Sequence, residues 1–161
     1  MNTLRHRIAI AATLALALTA GHAFAADMTP APAAKAAPAS NLTAARALIA
    51  DSKWTEAVSE LERVNDSGNA DWNNLMGYTL RKSGAGKWTA SEKYYDAALK
   101  IDPKHRGALE YSGELYLSMG DLPKAEQRLA ALGQACGMAC PEYWDLKAAI
   151  EGYKANGGKK S

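Results

Sequence analysis

Apolar side chains recur along this chain at a fixed distance. Trp54, Trp88 and Leu122 stand 34 residues apart in turn, as do Ala57, Ser91 and Ala125, then Leu61, Tyr95 and Leu129, then Val64, Ala98 and Leu132. Within each set the spacing is three, four and three, which puts all four positions on one stripe of an α-helix. A fixed period of this kind marks stacked units, none of which buries its apolar face alone. The segment before each stripe supplies the cover. Gly77 and Gly113 lie inside strongly helical text, where glycine costs about 1 kcal/mol relative to alanine, so each has a packing reason. The missing side chain lets one helix cross closely over Ser91 or Ala125 of the next, and Ala45 and Ala57 make the same contact in the first unit. Gly84 and Gly120, each seven residues further on, end those helices.

Capping signals divide the chain further. Asn69 caps one helix, Thr89 with Glu92 has the capping-box spacing, Asp121 caps a helix with Pro123 in its first turn, and Pro103 separates two units. Helices are predicted over 41–51, 54–65, 70–83, 89–101, 105–119, 121–135 and 141–155. In the seventh, Tyr143, Leu146, Ile150 and Tyr153 form an apolar stripe while Glu142, Asp145, Lys147, Glu151 and Lys154 take the other side. A terminal helix with one polar face covers the open end of a repeat stack.

The second unit, with Trp72, Leu75, Gly77, Tyr78, Ser91, Tyr95, Ala98 and Asp102-Pro103, and the third, with Gly113, Tyr116, Gly120, Ala125, Leu129 and Leu132, resemble the tetratricopeptide repeat family. The resemblance runs from about Asn41 to Leu132. Trp72, Leu75 and Gly77 are offset by one from the family spacing, Ala85-Gly86 is inserted in a turn, and the third unit lacks the closing proline. The resemblance implies an all-α, right-handed superhelix of three helix-turn-helix units plus a C-terminal capping helix. It also implies that the first helix of each unit lines a concave groove that binds peptides or helices. The groove positions would be Arg46; Asp71, Asn74, Tyr78, Arg81 and Lys82; and Glu110, Tyr111 and Glu114. The Lys and Asn set with which some relatives clamp a C-terminal carboxylate is missing from the matching places. Tyr78 and Tyr111 are either interface anchors or inter-helix packing, and Arg81 and Lys82 also suit a helix C-terminus electrostatically.

Composition agrees with helix. Alanine supplies 34 of the 161 residues, whereas Val58 and Val64 are the only valines, and strands favour β-branched side chains. Residues 1–25 read as a signal peptide: Arg5, His6 and Arg7, then Ile8 to Ala20 without charge, then the small-residue site Ala23-Phe24-Ala25. The apolar run falls short of the roughly 20 residues of a bilayer span. The expected location is the bacterial periplasm or beyond. Removing Arg5 and Arg7 from the 19 basic residues leaves 17 against 17 acidic ones. A neutral chain lacks the positive field that nucleic acid or an anionic membrane surface requires, so neither is expected as a partner. Residues 26–40, with Pro30, Pro32 and Pro38, read as a flexible linker, 41–155 as the repeat domain, and 156–161 as a polar tail.

Little in the chain suits catalysis. His105 is the one histidine past the leader and reads as a solvated helix-start residue; Gly84-Ala85-Gly86-Lys87 lacks phosphate-loop spacing; Glu60 and Glu62 face different sides of one helix. No enzyme activity, cofactor or dedicated metal site is expected. Cys136 and Cys140, in an exported protein, form a disulfide that fixes the corner before the last helix. The alternative is copper or thiol-redox handling with Met138 as a third soft ligand. A thioredoxin-like role is disfavoured by three intervening residues where that motif has two. The sequence thus points to a non-catalytic scaffold that binds another envelope protein or a peptide segment, with self-association through an end of the short stack also open.

Overall fold

The computed structural model describes residues 41–158, and every regular element among them is helical. The expected leader, the linker and the last three residues of the tail lie outside the described residues. Seven α-helices follow one another: α1 Thr43–Ala50, α2 Trp54–Val64, α3 Ala70–Lys82, α4 Trp88–Ile101, α5 Arg106–Met119, α6 Leu122–Cys136 and α7 Pro141–Ala155. Their bounds fall within two residues of those the sequence predicts. The helices pair as hairpins, α1 with α2, α3 with α4 and α5 with α6. Successive hairpins stack through α2 on α3 and α4 on α5, and α7 packs on both α5 and α6.

The periodic columns explain this order. Trp54, Trp88 and Leu122 are the first residues of α2, α4 and α6. Ala57, Ser91 and Ala125 are wholly buried, as are Leu61, Tyr95, Ala98 and Leu132. Around the stripes lie three apolar clusters. One is built on Leu42, Leu61, Trp72 and Met76, the next on Tyr95, Ala98, Ala108 and Leu115, and the last on Leu109, Tyr116, Leu132, Leu146 and Ile150. Trp72 joins the first two units by its indole, whose Nε1–H donates to the Leu61 carbonyl at 2.7 Å inside the first cluster.

The two mid-helix glycines act as close-approach points, by different means. A Cβ on Gly77 would stand 2.8 Å from two ring carbons of Tyr95, and the Ser91 hydroxyl donates to the Gly77 carbonyl at 2.6 Å. The α3–α4 crossing is therefore held by a ring lying on bare backbone and by one buried hydrogen bond. At Gly113 the nearest neighbour belongs to the last helix: a Cβ there would come within 2.5 and 2.7 Å of the Leu146 methyls. The notch on α5 receives α7, and that glycine docks the terminal helix.

Helix ends follow local chemistry with two departures. Asn69 Oδ1 accepts from Trp72 N at 3.3 Å, and Asp121 Oδ1 accepts from Lys124 N at 3.1 Å with Pro123 in the first turn. Gly120, at φ 83°, closes α5: its N–H reaches Leu117 O and the Asp121 N–H reaches Tyr116 O, the paired bonds that only a left-handed residue permits. The Thr89–Glu92 capping box does not form. Ala85–Lys87 coil into a 3₁₀ turn that starts α4 one residue early, at Trp88, with no side-chain cap, and Glu92 pairs instead with Lys124 at 3.4 Å. The two-residue insertion is absorbed in that turn. The second departure is at α5, which is capped by an imidazole: His105 Nδ1 accepts from Ala108 N at 3.1 Å.

Candidate functional site: the first-helix face

Helices α1, α3 and α5 carry the groove residues that the sequence singles out, and the structure brings most of them together in two groups. The first is a charged ladder. Arg46 Nη2 meets Asp71 Oδ2 at 3.1 Å, and Asp71 Oδ1 meets His105 Nε2 at 2.9 Å. His105 is not a solvated residue: its side chain is 13% exposed. Because Nδ1 accepts the cap hydrogen bond, the ring must carry its proton on Nε2, where it donates to Asp71. One ring thus ends a helix and ties the second unit to the third.

The second group is aromatic and cationic. The Tyr78 and Tyr111 rings lie 4.7 Å apart, and Trp54 meets Tyr78 edge-on at 6.3 Å. The Arg81 guanidinium covers both tyrosines, at 5.5 and 5.7 Å from their centroids, and bonds Glu114 at 2.6 Å. Lys82 Nζ approaches the outer side of Tyr78 at 5.8 Å. Guanidinium over an aromatic face is favourable, more so when desolvated, and Arg81 is only 10% exposed. Burial, then the neighbouring Glu110 and Tyr78, raise the Tyr111 phenol to about 12. Tyr78 and Tyr111 thus pack between helices and still show an edge to solvent, since both are half-buried.

Two expected groove residues do not face outward. Asn74 is buried between α3 and the start of α5, its Nδ2 close against Gly107 and its Oδ1 without a hydrogen-bond partner among the described residues. Glu110 is 7% exposed. Burial foremost, then the charges of Glu114, Asp145 and Glu142, hold its carboxyl up to about 8 against the opposing pull of Arg81. The sequence marks Glu142 and Asp145 only as the polar side of a cap, and the structure brings them to bear on this acid. Glu142 has Arg106 at 3.6 Å. Arg46, Asp71 and Lys82 are exposed.

Elsewhere, Cys136 and Cys140 are joined as a disulfide with Cα atoms 5.9 Å apart. In that form they offer no thiolate to a soft metal. Met138 is 68% exposed, and its carbonyl accepts from Trp144 Nε1 at 3.0 Å, which folds the loop onto the start of α7. Glu60 is bound by both oxygens to Arg63 at 2.8 and 2.7 Å, so it forms no dyad with Glu62. Among the described residues no three His, Cys, Asp or Glu side chains converge as a metal site would require. None of the described helices is long and apolar enough to cross a membrane.

Stacked helical hairpins that share one residue pattern and present a continuous first-helix face define a helical-repeat protein. Residues 83–150, from just past α3 through most of α7, match the tetratricopeptide repeat family. The matched stretch passes Leu132 and takes in α7. Six chains of solved structures match. One is the crystal structure of PcrH in complex with the chaperone binding region of PopD, with TM-score 0.60 and 18% identity over 71% of this chain and 89% of that one. No curated protein matches the chain.

Proposed function

We propose that this chain is a non-catalytic protein-binding module of the bacterial periplasm, exported by a cleaved leader, that holds a segment of another envelope protein in the groove formed by its first helices. The observation that carries the reading is the Tyr78–Tyr111–Arg81–Glu114 cluster. Aromatic and guanidinium groups, the residue types that dominate binding energy at interfaces, are fixed there by mutual contact with their edges left to solvent. A face ordered before binding loses little entropy when a partner docks. That PcrH, of similar fold, was crystallised with the chaperone binding region of PopD supports a peptide segment as the ligand class. The signal-peptide pattern of residues 1–25 supports the location.

The test is site-directed photocrosslinking in intact cells. A photoreactive residue at Lys82, on the first-helix face, should give a discrete adduct with one envelope protein. The same group at Lys93, exposed on α4, should not. Exchanging Tyr78 and Arg81 for Ala should remove the Lys82 adduct while far-UV dichroism keeps its helical signal. Adducts from Lys93 alone, or a Lys82 adduct that survives the double exchange, would refute the groove as the binding surface. Fractionation that leaves the protein inside the cytoplasm would refute the location.

A further inference from the structure

On α5 two glutamates stand one helical turn apart, and only one is matched. Glu114 has a guanidinium from the neighbouring helix, Arg81, at 2.6 Å. Glu110 has no hydrogen bond or ion pair among the described residues, although it is more than nine-tenths buried. The charged groups that bear on it are Glu114 on its own helix, Asp145 and Glu142 on α7, and Arg81 on α3. Arg81 is already engaged with Glu114, and Glu142 holds Arg106 at 3.6 Å. One oxygen of Glu142 is itself buried without a partner. Two helices therefore turn acids toward one another with fewer cations than carboxylates. The Glu110 oxygens are not among the fully enclosed, unpaired atoms, so they remain open to an incoming group, and folding alone gives no reason to gather acids with too few cations.

We infer that this end of the groove, between α5 and α7, receives a single Lys or Arg side chain of the bound segment, with Glu110 as acceptor at its floor and Glu142 and Asp145 at its rim. The inference rests on the groove reading above and names the partner's chemistry. Charge complementarity selects the occupant, and the chain itself shows the pairing one turn away, where Arg81 lies on Tyr78 and Tyr111 and bonds Glu114. A metal ion fits less well, because the described acids do not converge on one point. An incoming ammonium or guanidinium spreads its donors over several acceptors. With the carboxyl held up at about 8, Glu110 carries a proton at neutral pH in the empty site and gives it up to the solvent as the cation arrives. Affinity for the cationic segment then rises with pH toward about 8 and levels off above it.

The experiment uses the purified protein, immobilised, and four pools of blocked twelve-residue peptides. All positions are randomised except a central one, fixed as Arg, Lys, norleucine or Glu. The Arg and Lys pools should be retained roughly tenfold over norleucine, the size expected of a partly buried charge pair, and the Glu pool least. Glu110→Gln should erase the preference while retention of the norleucine pool persists, and Glu62→Gln, at an exposed position of α2, should leave the preference intact. The preference should be larger at pH 8.5 than at pH 6.5. Equal retention of the Arg and norleucine pools, with binding lost in Tyr78→Ala, overturns the cation inference and keeps the groove. Stimulation of the norleucine pool by calcium, abolished in Glu110→Gln, assigns the acids to a metal and overturns it too. No retention of any pool overturns the peptide groove, and this inference with it. Glu110→Gln replaces a carboxyl that is protonated at neutral pH by an amide of the same shape and is expected to fold, which dichroism checks.

Discussion

Replacing glycine by alanine at four helical positions should change stability in opposite directions, and the sign is set by the space at each site. In an open helical position the exchange stabilises by up to about 1 kcal/mol through propensity alone. Gly152, on α7, has nothing within 4 Å of where the methyl would go, and Gly133, on α6, meets only a Tyr143 ring carbon at 3.6 Å, an ordinary contact. Gly77 differs. Its methyl would lie 2.8 Å from two carbons of the Tyr95 ring, whereas carbons rest at about 3.5–4.0 Å. The ring is rigid and wholly buried, so α3 and α4 must separate by roughly 0.7–1 Å and stretch the Ser91 hydrogen bond. Overpacking of this kind costs about 1–3 kcal/mol. Less the propensity gain, Gly77→Ala should lose about 1 kcal/mol. Gly113→Ala, driven against the Leu146 methyls, should lose a similar amount and loosen α7. At about 4 °C per kcal/mol for a domain of this size, thermal melts followed by far-UV dichroism should place the Gly77 and Gly113 variants below the parent protein. The Gly133 and Gly152 variants should fall at or above it. If Gly77→Ala melts as high as Gly152→Ala, the close-approach account of the α3–α4 crossing is wrong.

Three further outcomes follow from the same geometry. Trp72→Phe removes the indole donor to Leu61 and leaves the smaller ring underfilling a buried site, so urea unfolding should show a loss of about 1–2 kcal/mol; no loss would mean the first two units are not joined there. Reducing the Cys136–Cys140 bond opens a very short loop, and melting with and without reductant should differ by about 2 kcal/mol or less, whereas the double variant Cys136→Ser, Cys140→Ser should be insensitive to reductant. Glu110, at about 8 in the folded protein against an ordinary 4.5, keeps a proton that the unfolded chain has lost between those values. Its contribution to stability is therefore fully present below about 4.5 and disappears as pH rises through about 8. Glu110→Gln should flatten the fall in unfolding midpoint between pH 5.5 and 8.5, and an unchanged slope would remove Glu110 as its source.

The helices were legible because the stripe that starts at Trp54, Trp88 and Leu122 belongs to single helices, and a 3.6-residue period states which side of a helix is apolar. It does not state which neighbour meets that side. Gly113 therefore pointed, on spacing, to Ala125, while in three dimensions it receives Leu146 from a helix outside the regular columns. Local chemistry misled where a tertiary contact competed for the same atoms: Glu92 had the spacing to close a capping box at Thr89, and Lys124 of the next unit takes its carboxylate instead. His105 sits 34 residues after Asp71, the same interval as the repeat, yet neither belongs to an apolar column, so a bond between units was hidden in plain numbers.

The acid at Glu110 was the hardest to foresee, and the reason bears on function. Patterning rules place charged residues where water or an opposite charge will hold them, and the amphipathic reading of α7 accordingly sent Glu142 and Asp145 to solvent. Asp145 is indeed exposed and Glu142 half-buried, yet the charges of both bear on a buried glutamate of α5. Contacts that lower the stability of the isolated chain are where a repeat protein departs from the pattern shared by its units. At this one the departure is specific in chemistry: it leaves an acid that ionises when a cation arrives, at the end of a face where Asp71, Glu114 and Glu142 already have theirs.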